Sequence, residues 1–348
     1  MKAYVLTSHL KSLKDLPATL QETDSPKPAT NQVLIDVHSV GLNFFDILQT
    51  QGKYQTQPPF PYTPGHEFSG IINASSPIPK GCNFIPGKTR VFGGAQGAYA
   101  EQVAADWREL IEVPEGMTMD QAAGLYVTYP TSYAGLVMRA NLRKGEWCLV
   151  HAGAGGVGIA AVQIAKALGA KVIATASTQE KLDVAKKYGG ADVLINYAEG
   201  EPGAWQKQVM KVTCGKGVDV VYDSVGMIIP TLKCIALDGR IVVVGFAAGN
   251  IEKVPMNLVL LKNIAITGIF YGGWVAKEPE IVPAVWAGIL HMIAQGRLRP
   301  VVFHHVFQGL ESLPAGLGAL ATRKTWGKAV LRIKGASKFT ANEREAKL

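Results

Sequence analysis

The sequence predicts an α/β protein in two parts, a β-rich first domain followed by a doubly wound parallel sheet of six strands. Three observations carry this. At 348 residues the chain exceeds what one ordinary hydrophobic core takes up. Its first third alternates apolar and polar residues in short runs cut by Pro and Gly clusters (SPKPAT, PPFPYTPG, IPGK), the pattern of antiparallel strands in a barrel-like scaffold. From Glu146 to about Gly268, short β runs alternate with helical stretches, which is how strand–helix–strand crossovers read.

In order along the chain, the first region offers strands at Gln32–Val40, Gly70–Ile72, Lys88–Phe92 and Tyr99–Val103. Between Met119 and Arg139 the apolar period becomes helical, with Asp120 placed to cap that helix. The six strands of the second region are Trp147–Ala152, Lys171–Thr175, Ala191–Asn196, Val218–Asp223, Arg240–Gly245 and Ile264–Ile269, with helices centred on Ala160, Val184, Val209 and Leu232. A further helix, Val282–Gln295, precedes a last strand, Lys328–Ile333, that returns to the first domain. Domain limits are thus expected at 1–123, 124–267 and 268–334, with residues 335–348 as an exposed tail.

Composition removes several classes. Hydrophobic residues make up 48% and charged ones 18%, a globular mix without the low hydrophobicity of disorder. The longest apolar stretch, Asn257–Gly273, is cut by Lys262 and falls short of a membrane span. Lys11, Lys14 and Asp15 interrupt any secretory h-region near the N-terminus. Cys82, Cys148, Cys214 and Cys234 lie far apart with no C-x-x-C, so neither a disulfide framework nor a zinc knuckle is written, and a reducing compartment is expected. The net charge of +8 is regional: residues 1–123 hold 9 basic and 12 acidic side chains, residues 124–267 hold 15 and 10. A positive middle suits an anionic ligand there, whereas nucleic-acid binding calls for concentrated basic runs that this chain lacks.

The sharpest motif is HAGAGGVG (151–158), where Gly153, Gly155 and Gly158 satisfy G-x-G-x-x-G between an expected strand and an expected helix. The first glycine permits a tight turn, the second lets the backbone approach a pyrophosphate closely, and the third lets helix pack on strand. Gly156 and Val157, in the same turn, bring N–H groups to the helix N-terminus, where the dipole favours an anion. An NAD site places an acid about 20 residues on; here the second strand ends Ala174-Thr175-Ala176-Ser177-Thr178 with no acid before Glu180. Lys181 follows one turn into the next helix, and an ammonium there favours the extra phosphate of NADPH. Against this stands a plainer reading of Ser177 and Glu180 as a capping box.

With these residues in place the sequence resembles the medium-chain dehydrogenase/reductases, and within them the zinc-free quinone oxidoreductase branch of the zeta-crystallin type. The likeness runs from Met1 to about Lys334 and rests on GLNFFDILQTQGKY (41–54), PGHEFSG (64–70), AAGLYVTYPTSYAGL (122–136), the glycine motif, INY (195–197), VDVVYDSVG (218–226) and GRIVVVGFAAG (239–249). It implies a GroES-like first domain, a Rossmann second domain and an NADPH cleft between them. It further implies cofactor contacts from Thr131, Ser177, Lys181 and Tyr197, with the nicotinamide near Phe246 and Ala247. Zinc-dependent members carry Cys, His and Cys ligands; here His66 and Glu67 keep the G-H-E context while Asn43 and Val127 stand where the thiolates align. One ligand of three does not hold a catalytic zinc.

Hydride donation to an electron-poor acceptor needs no metal, so reduction of a quinone or an activated alkene is the expected activity. The developing oxyanion or enolate then needs a hydrogen bond and a proton. Asn43 and Tyr54 are the catalytic candidates because the resemblance puts both on loops lining the cleft, and a tyrosine hydroxyl stays protonated at neutral pH. A 2-enoyl thioester reductase fits the LQTQGKY segment as well, and an NADPH-binding protein with a structural or RNA-binding role is the alternative of another class. The net negative first region favours a small uncharged acceptor. The apolar last strand of the sheet would be an exposed edge, so a homodimer is expected. The chain ends Ala346-Lys347-Leu348, a variant of a peroxisomal address, so a peroxisomal import receptor is a possible partner and the expected location is cytoplasmic or peroxisomal.

Overall fold

The computed structural model describes residues 1–333; the tail and its terminal tripeptide lie outside the described residues. The chain divides into two units, Met1–Val127 joined by the chain from Val302 on, and Thr128–Val301. Residues 268–301, expected to return to the first domain, therefore belong to the second unit. The reason is packing: the helix Val282–Ala294 lies against the helix Thr128–Tyr133 of that unit.

The first unit begins with β1 (Lys2–Tyr4) and β2 (Leu20–Glu22), an antiparallel pair. There follow β3 (Gln32–Gly41), α1 (Phe44–Thr50), β4 (Glu67–Ile72), β5 (Arg90–Gly94), β6 (Gln102–Asp106), β7 (Leu110–Glu112) and α2 (Met119–Ala122). The long β3 is the hub: β4 pairs along one edge while β6 takes the first half of the other. Its first half alternates half-buried and buried residues, whereas from Val37 onward every residue is buried.

The second unit runs through α3 (Thr128–Tyr133), β8 (Trp147–Val150), α4 (Gly156–Ala167), β9 (Lys171–Ala176), α5 (Gln179–Lys187), β10 (Val193–Asn196), α6 (Ala204–Val212), β11 (Val218–Asp223), α7 (Ile228–Thr231), β12 (Ile235–Val243), α8 (Met256–Leu261), β13 (Ala265–Gly268), α9 (Tyr271–Val275) and α10 (Val282–Ala294). The six strands are all parallel, in the order β10-β9-β8-β11-β12-β13. Direction of winding reverses between β8 and β11, the place where such sheets bind ligands. The predicted doubly wound sheet is thus the observed one, with Leu149, Ile173, Ile195, Val221 and Ile241 in its core.

After Val301 the chain adds β14 (Phe307–Gln308), α11 (Leu313–Ala321) and β15 (Val330–Arg332) to the first unit. β15 pairs antiparallel with Ser39–Gly41 of β3, completing a sheet in the order β14-β15-β3-β4-β5-β7 with β6 on β3. The return of the last strand is as the sequence suggests.

Two local expectations change. The single helix anticipated over 119–139 is broken: α2 ends at Ala122, and after α3 the backbone widens, Ala140 donating to the Gly135 carbonyl five residues back. Its cap is Thr118, whose hydroxyl accepts from Gln121 N–H while Gln121 Oε1 accepts from Thr118 N–H at 3.1 Å. Asp120 instead points to Arg332 and to Ser39. β12 begins at Ile235, before the expected Arg240, because a register shift at Asp238 (φ 61°) and Gly239 lets the strand continue through what reads as a turn. Among the described residues no helix is long and apolar enough to cross a membrane.

Candidate active site

The glycine motif folds as its spacing predicts. β8 ends at Val150, Gly153 N–H bonds to the Thr175 carbonyl at 3.0 Å, and Gly155 becomes the N-cap of α4. A Cβ on Gly158 would stand 2.1 Å from the Ala152 carbonyl, and one on Gly153 2.8 Å from Ala174, so both positions exclude any side chain. At Gly155 a Cβ would meet only the Ala152 carbonyl, at 3.4 Å. The backbone there is crowded on the protein side and open on the other, as close approach of a diphosphate requires. Gly156 and Val157 form the first turn of α4 and bring N–H groups to the same end.

The neighbouring candidates gather on this unit. Ser132, next to Thr131, donates its hydroxyl to the Val157 carbonyl at 2.9 Å, fixing α3 beside the start of α4. Tyr197 N–H bonds to the Ala176 carbonyl at 3.1 Å and so sits beside Ser177 at the ends of β9 and β10. The cap of α5 is Thr178, whose hydroxyl accepts from Lys181 N–H, and not Ser177 with Glu180. Lys181 lies in the first turn of that helix and is half-buried. Phe246 and Ala247 follow β12, and Ala247 N–H is tied to the Ser224 carbonyl at 3.1 Å beyond β11.

His151 was not anticipated. It is fully buried just before the glycine turn, with Nδ1 3.0 Å from Thr175 Oγ1 and Nε2 2.8 Å from Thr231 Oγ1. Thr231 gives its own proton to the Met227 carbonyl, so it accepts from His151 Nε2–H and the neutral ring accepts at Nδ1. Burial holds the imidazole below its ordinary pKa, with Asp223 opposing. The ring therefore ties β8, β9 and α7 together as a neutral strut.

In the first unit Asn43 stands as the N-cap of α1, but its side chain turns inward. Its Nδ2 donates to Glu67 Oε2 at 3.1 Å and toward the Gly41 carbonyl at 3.4 Å, while its Oδ1 accepts from Lys328 Nζ at 2.6 Å. Lys328 also lies 2.5 Å from Glu67 Oε2, and Glu67 Oε1 accepts from Val127 N–H at 2.9 Å. The pair is buried, at 5% and 0% side-chain exposure. Lys328 is 285 residues from Asn43 in sequence, and no local spacing pointed to it.

The polar groups here are committed to one another: at Asn43, expected to align with a thiolate position, stands an amide held by an ammonium, and both oxygens of Glu67 are already engaged. Among the described residues no three His, Cys, Asp or Glu side chains come together to hold a metal ion.

Next to this group Asp46 is completely buried; its Oδ2 accepts from Asn43 N–H at 2.8 Å and from the Tyr99 hydroxyl at 2.6 Å, and its Oδ1 has no hydrogen-bond partner among the described residues. Burial pushes its carboxyl up to about 7 against the opposing pull of those bonds and of Lys328. Tyr54 stacks on Phe45 at 5.3 Å, and Phe45 and Tyr126 each meet His66 at 6.3 Å. Burial, with the Asp46 charge adding to it, raises the Tyr54 hydroxyl pKa, and burial lowers that of His66. The outcome is an aromatic cluster bearing a protonated phenol and a neutral imidazole.

These features match known proteins over nearly the whole chain. The zinc-binding dehydrogenase family profile matches residues 156–289, and that of the alcohol dehydrogenase GroES-like domain matches residues 29–115. Quinone oxidoreductase-like protein 2 of Mus musculus is 37% identical over 91% of this chain and 89% of its own length. The chain belongs to the quinone oxidoreductase-like members of the medium-chain dehydrogenase/reductases. Among solved structures of the family, the Escherichia coli quinone oxidoreductase complexed with NADPH superposes with a TM-score of 0.82 at 28% identity, covering 95% of this chain and 100% of that one. The Thermus thermophilus quinone oxidoreductase, also solved with NADPH, gives 0.79 at 30% identity over 96% and 100% of the two chains.

Proposed function

We propose that the protein is an NADPH-dependent reductase of quinones or activated alkenes that works without zinc. The observation that carries this is the glycine turn: a backbone closed on one side at Gly153 and Gly158 and open at Gly155, at the N-terminus of α4. The family supports it, since two of its quinone oxidoreductases were solved with NADPH. When bound, NADPH supplies a hydride from its reduced nicotinamide.

The chain's own residues do the rest. Gly155, Gly156, Val157 and the helix dipole receive the diphosphate. Ser177, Lys181 and Tyr197 take the 2′-phosphate end, where no acid stands at the end of β9 to repel it. Thr131, Phe246 and Ala247 bound the nicotinamide end. In the first unit the aromatic cluster of Phe45, Tyr54, His66 and Tyr126 suits a planar acceptor, and the Tyr54 hydroxyl donates to the oxygen on which charge develops. Asn43, its amide committed inward to Glu67 and the Gly41 carbonyl, positions α1 and the Glu67–Lys328 pair and does not donate to the acceptor.

An NADPH-oxidation screen over ortho- and para-quinones, enones, enals and enoyl thioesters tests this reading. Turnover with quinones or enones, unchanged by chelators and with far less than one zinc per chain, is the expected result. Turnover confined to enoyl thioesters would move the assignment to that class, and tight NADPH binding with no turnover would leave a cofactor-binding protein.

We also propose a homodimer joined through β13. Among the described residues that strand pairs with β12 alone, and Leu237, Leu260 and Leu261 beside the edge are 69%, 74% and 71% exposed. An open edge with apolar neighbours is relieved by pairing with a second copy.

A further inference from the structure

Five successive backbone amides, Val225 to Ile229, all end on two carboxylates that come from different segments. Asp223, buried at the end of β11, accepts from Val225 and Gly226 N–H through Oδ1 at 2.8 and 3.0 Å and from Met227 N–H through Oδ2 at 2.6 Å. Glu252 accepts from Ile228 N–H through Oε2 at 2.5 Å and from Ile229 N–H through Oε1 at 3.2 Å. The two segments are joined by backbone as well: Ala247 N–H reaches the Ser224 carbonyl at 3.1 Å and Ala248 N–H the Val225 carbonyl at 3.0 Å. Gly226, at φ 95°, leaves room for the approach, since a Cβ there would lie 3.1 Å from the Asn250 carbonyl and 3.4 Å from Phe246.

The two carboxylates differ in permanence. Asp223 is fully buried and grips its own chain within four residues, so its bonds persist as long as the sheet does. Glu252 is half-buried in a segment whose neighbour Ile251 is 77% exposed, and it reaches across 24 residues of sequence to Ile228. Of the two, the Glu252 link is the less buried and the one that joins separate segments of the chain.

We propose that Glu252 is a positioning residue for the cofactor: by accepting the Ile228 and Ile229 amides it holds the Phe246–Ala248 segment against the Ser224–Gly226 loop and thereby sets how long NADPH stays bound. This rests on the NADPH reading above, in which Phe246 and Ala247 bound the nicotinamide end. It adds no group to the chemistry. It makes the residence time of the cofactor depend on a carboxylate that accepts from two backbone amides.

The test uses Glu252→Gln, which keeps the volume but turns one acceptor oxygen into an NH₂ group facing an amide N–H. In the cofactor-free protein, hydrogen exchange should quicken at Ile228 and Ile229 while Val225 to Met227, held by Asp223, stay protected. NADPH dissociation, followed by stopped-flow fluorescence, should speed up by about tenfold, the size of one lost charge-assisted hydrogen bond, while the melting temperature falls by no more than the few degrees that the same loss costs the free protein. Glu252→Ala should do the same. Unchanged exchange at both amides would overturn the latch, and faster exchange with unchanged NADPH dissociation would overturn its role in positioning. Failure of the unaltered protein to bind NADPH would instead remove the cofactor reading on which the proposal rests, whatever the exchange rates are.

Discussion

The ammonium of Lys328, brought in just before β15, lies 2.5 Å from the carboxylate of Glu67 at the start of β4, and both are buried. The pair is completed by Asn43 and by Val127 N–H, so each charge is hydrogen-bonded as well as paired. Removing one partner of such a pair leaves the other charge without compensation. Lys328→Met should therefore destabilise the protein by about 3–5 kcal/mol in urea unfolding. The double variant Lys328→Met with Glu67→Gln should recover most of that loss. Equal instability of the double variant would mean that packing of the lysine stem, and not charge, is what matters.

Tyr54→Phe keeps the stacking on Phe45 and deletes only the hydroxyl. If that hydroxyl donates to a developing enolate, turnover of an enone falls by about 100-fold. A quinone, whose reduced form takes protons readily from water, should lose less. Steady-state kinetics on both acceptors decide this, and equal rates with every acceptor would make Tyr54 a packing residue.

Lys181 sits in the first turn of α5 with no acid at the end of β9. Lys181→Glu should weaken NADPH by about 10- to 100-fold while NADH changes little, because a charge-assisted contact is replaced by repulsion. Fluorescence titration with both cofactors measures it. A parallel loss for NADH would assign the lysine to the fold of α5.

Asp46 makes stability depend on pH in an unusual direction. Its carboxyl is raised from 3.8 to about 7, burial being the main cause, so the folded state holds the proton more tightly than the unfolded chain. The stabilisation is therefore complete below the unfolded value and is lost as pH rises through about 7. Asp46→Asn, which cannot ionise and whose oxygen still accepts from Tyr99 and Asn43 N–H, should raise the melting temperature more at pH 8 than at pH 5. A loss of the same size at both pH values would show that the carboxylate is held ionised.

Association through the β13 edge is open to a direct check. Light scattering should give a dimer at micromolar concentration, and Leu260→Glu with Leu261→Glu should shift it to a monomer that retains NADPH binding. A monomeric unaltered protein would end the idea.

Much of this molecule is written locally. Periodicity along 146–268, with glycines punctuating it, specified the parallel sheet because strand and helix periods are properties of a few neighbouring residues. The glycine turn was legible for the same reason: strand, turn and helix are contiguous, and Gly153 and Gly158 admit nothing larger. What the sequence did not show was assembled across distance. Lys328 meets Asn43 from 285 residues away, and His151 meets Thr231 from 80. The boundary at Val301 in place of 267 follows from α10 packing on α3, a contact that no spacing encodes. Asn43 shows the division most clearly. Its place in the motif marked it as a candidate donor, but the direction of its amide was decided by Glu67 and Lys328, because a buried ion pair requires every hydrogen bond within reach. Residue types and turns are therefore fixed by local chemistry, while the partner a buried polar group finds is decided only when the sheet closes and brings remote charges into one low-dielectric place.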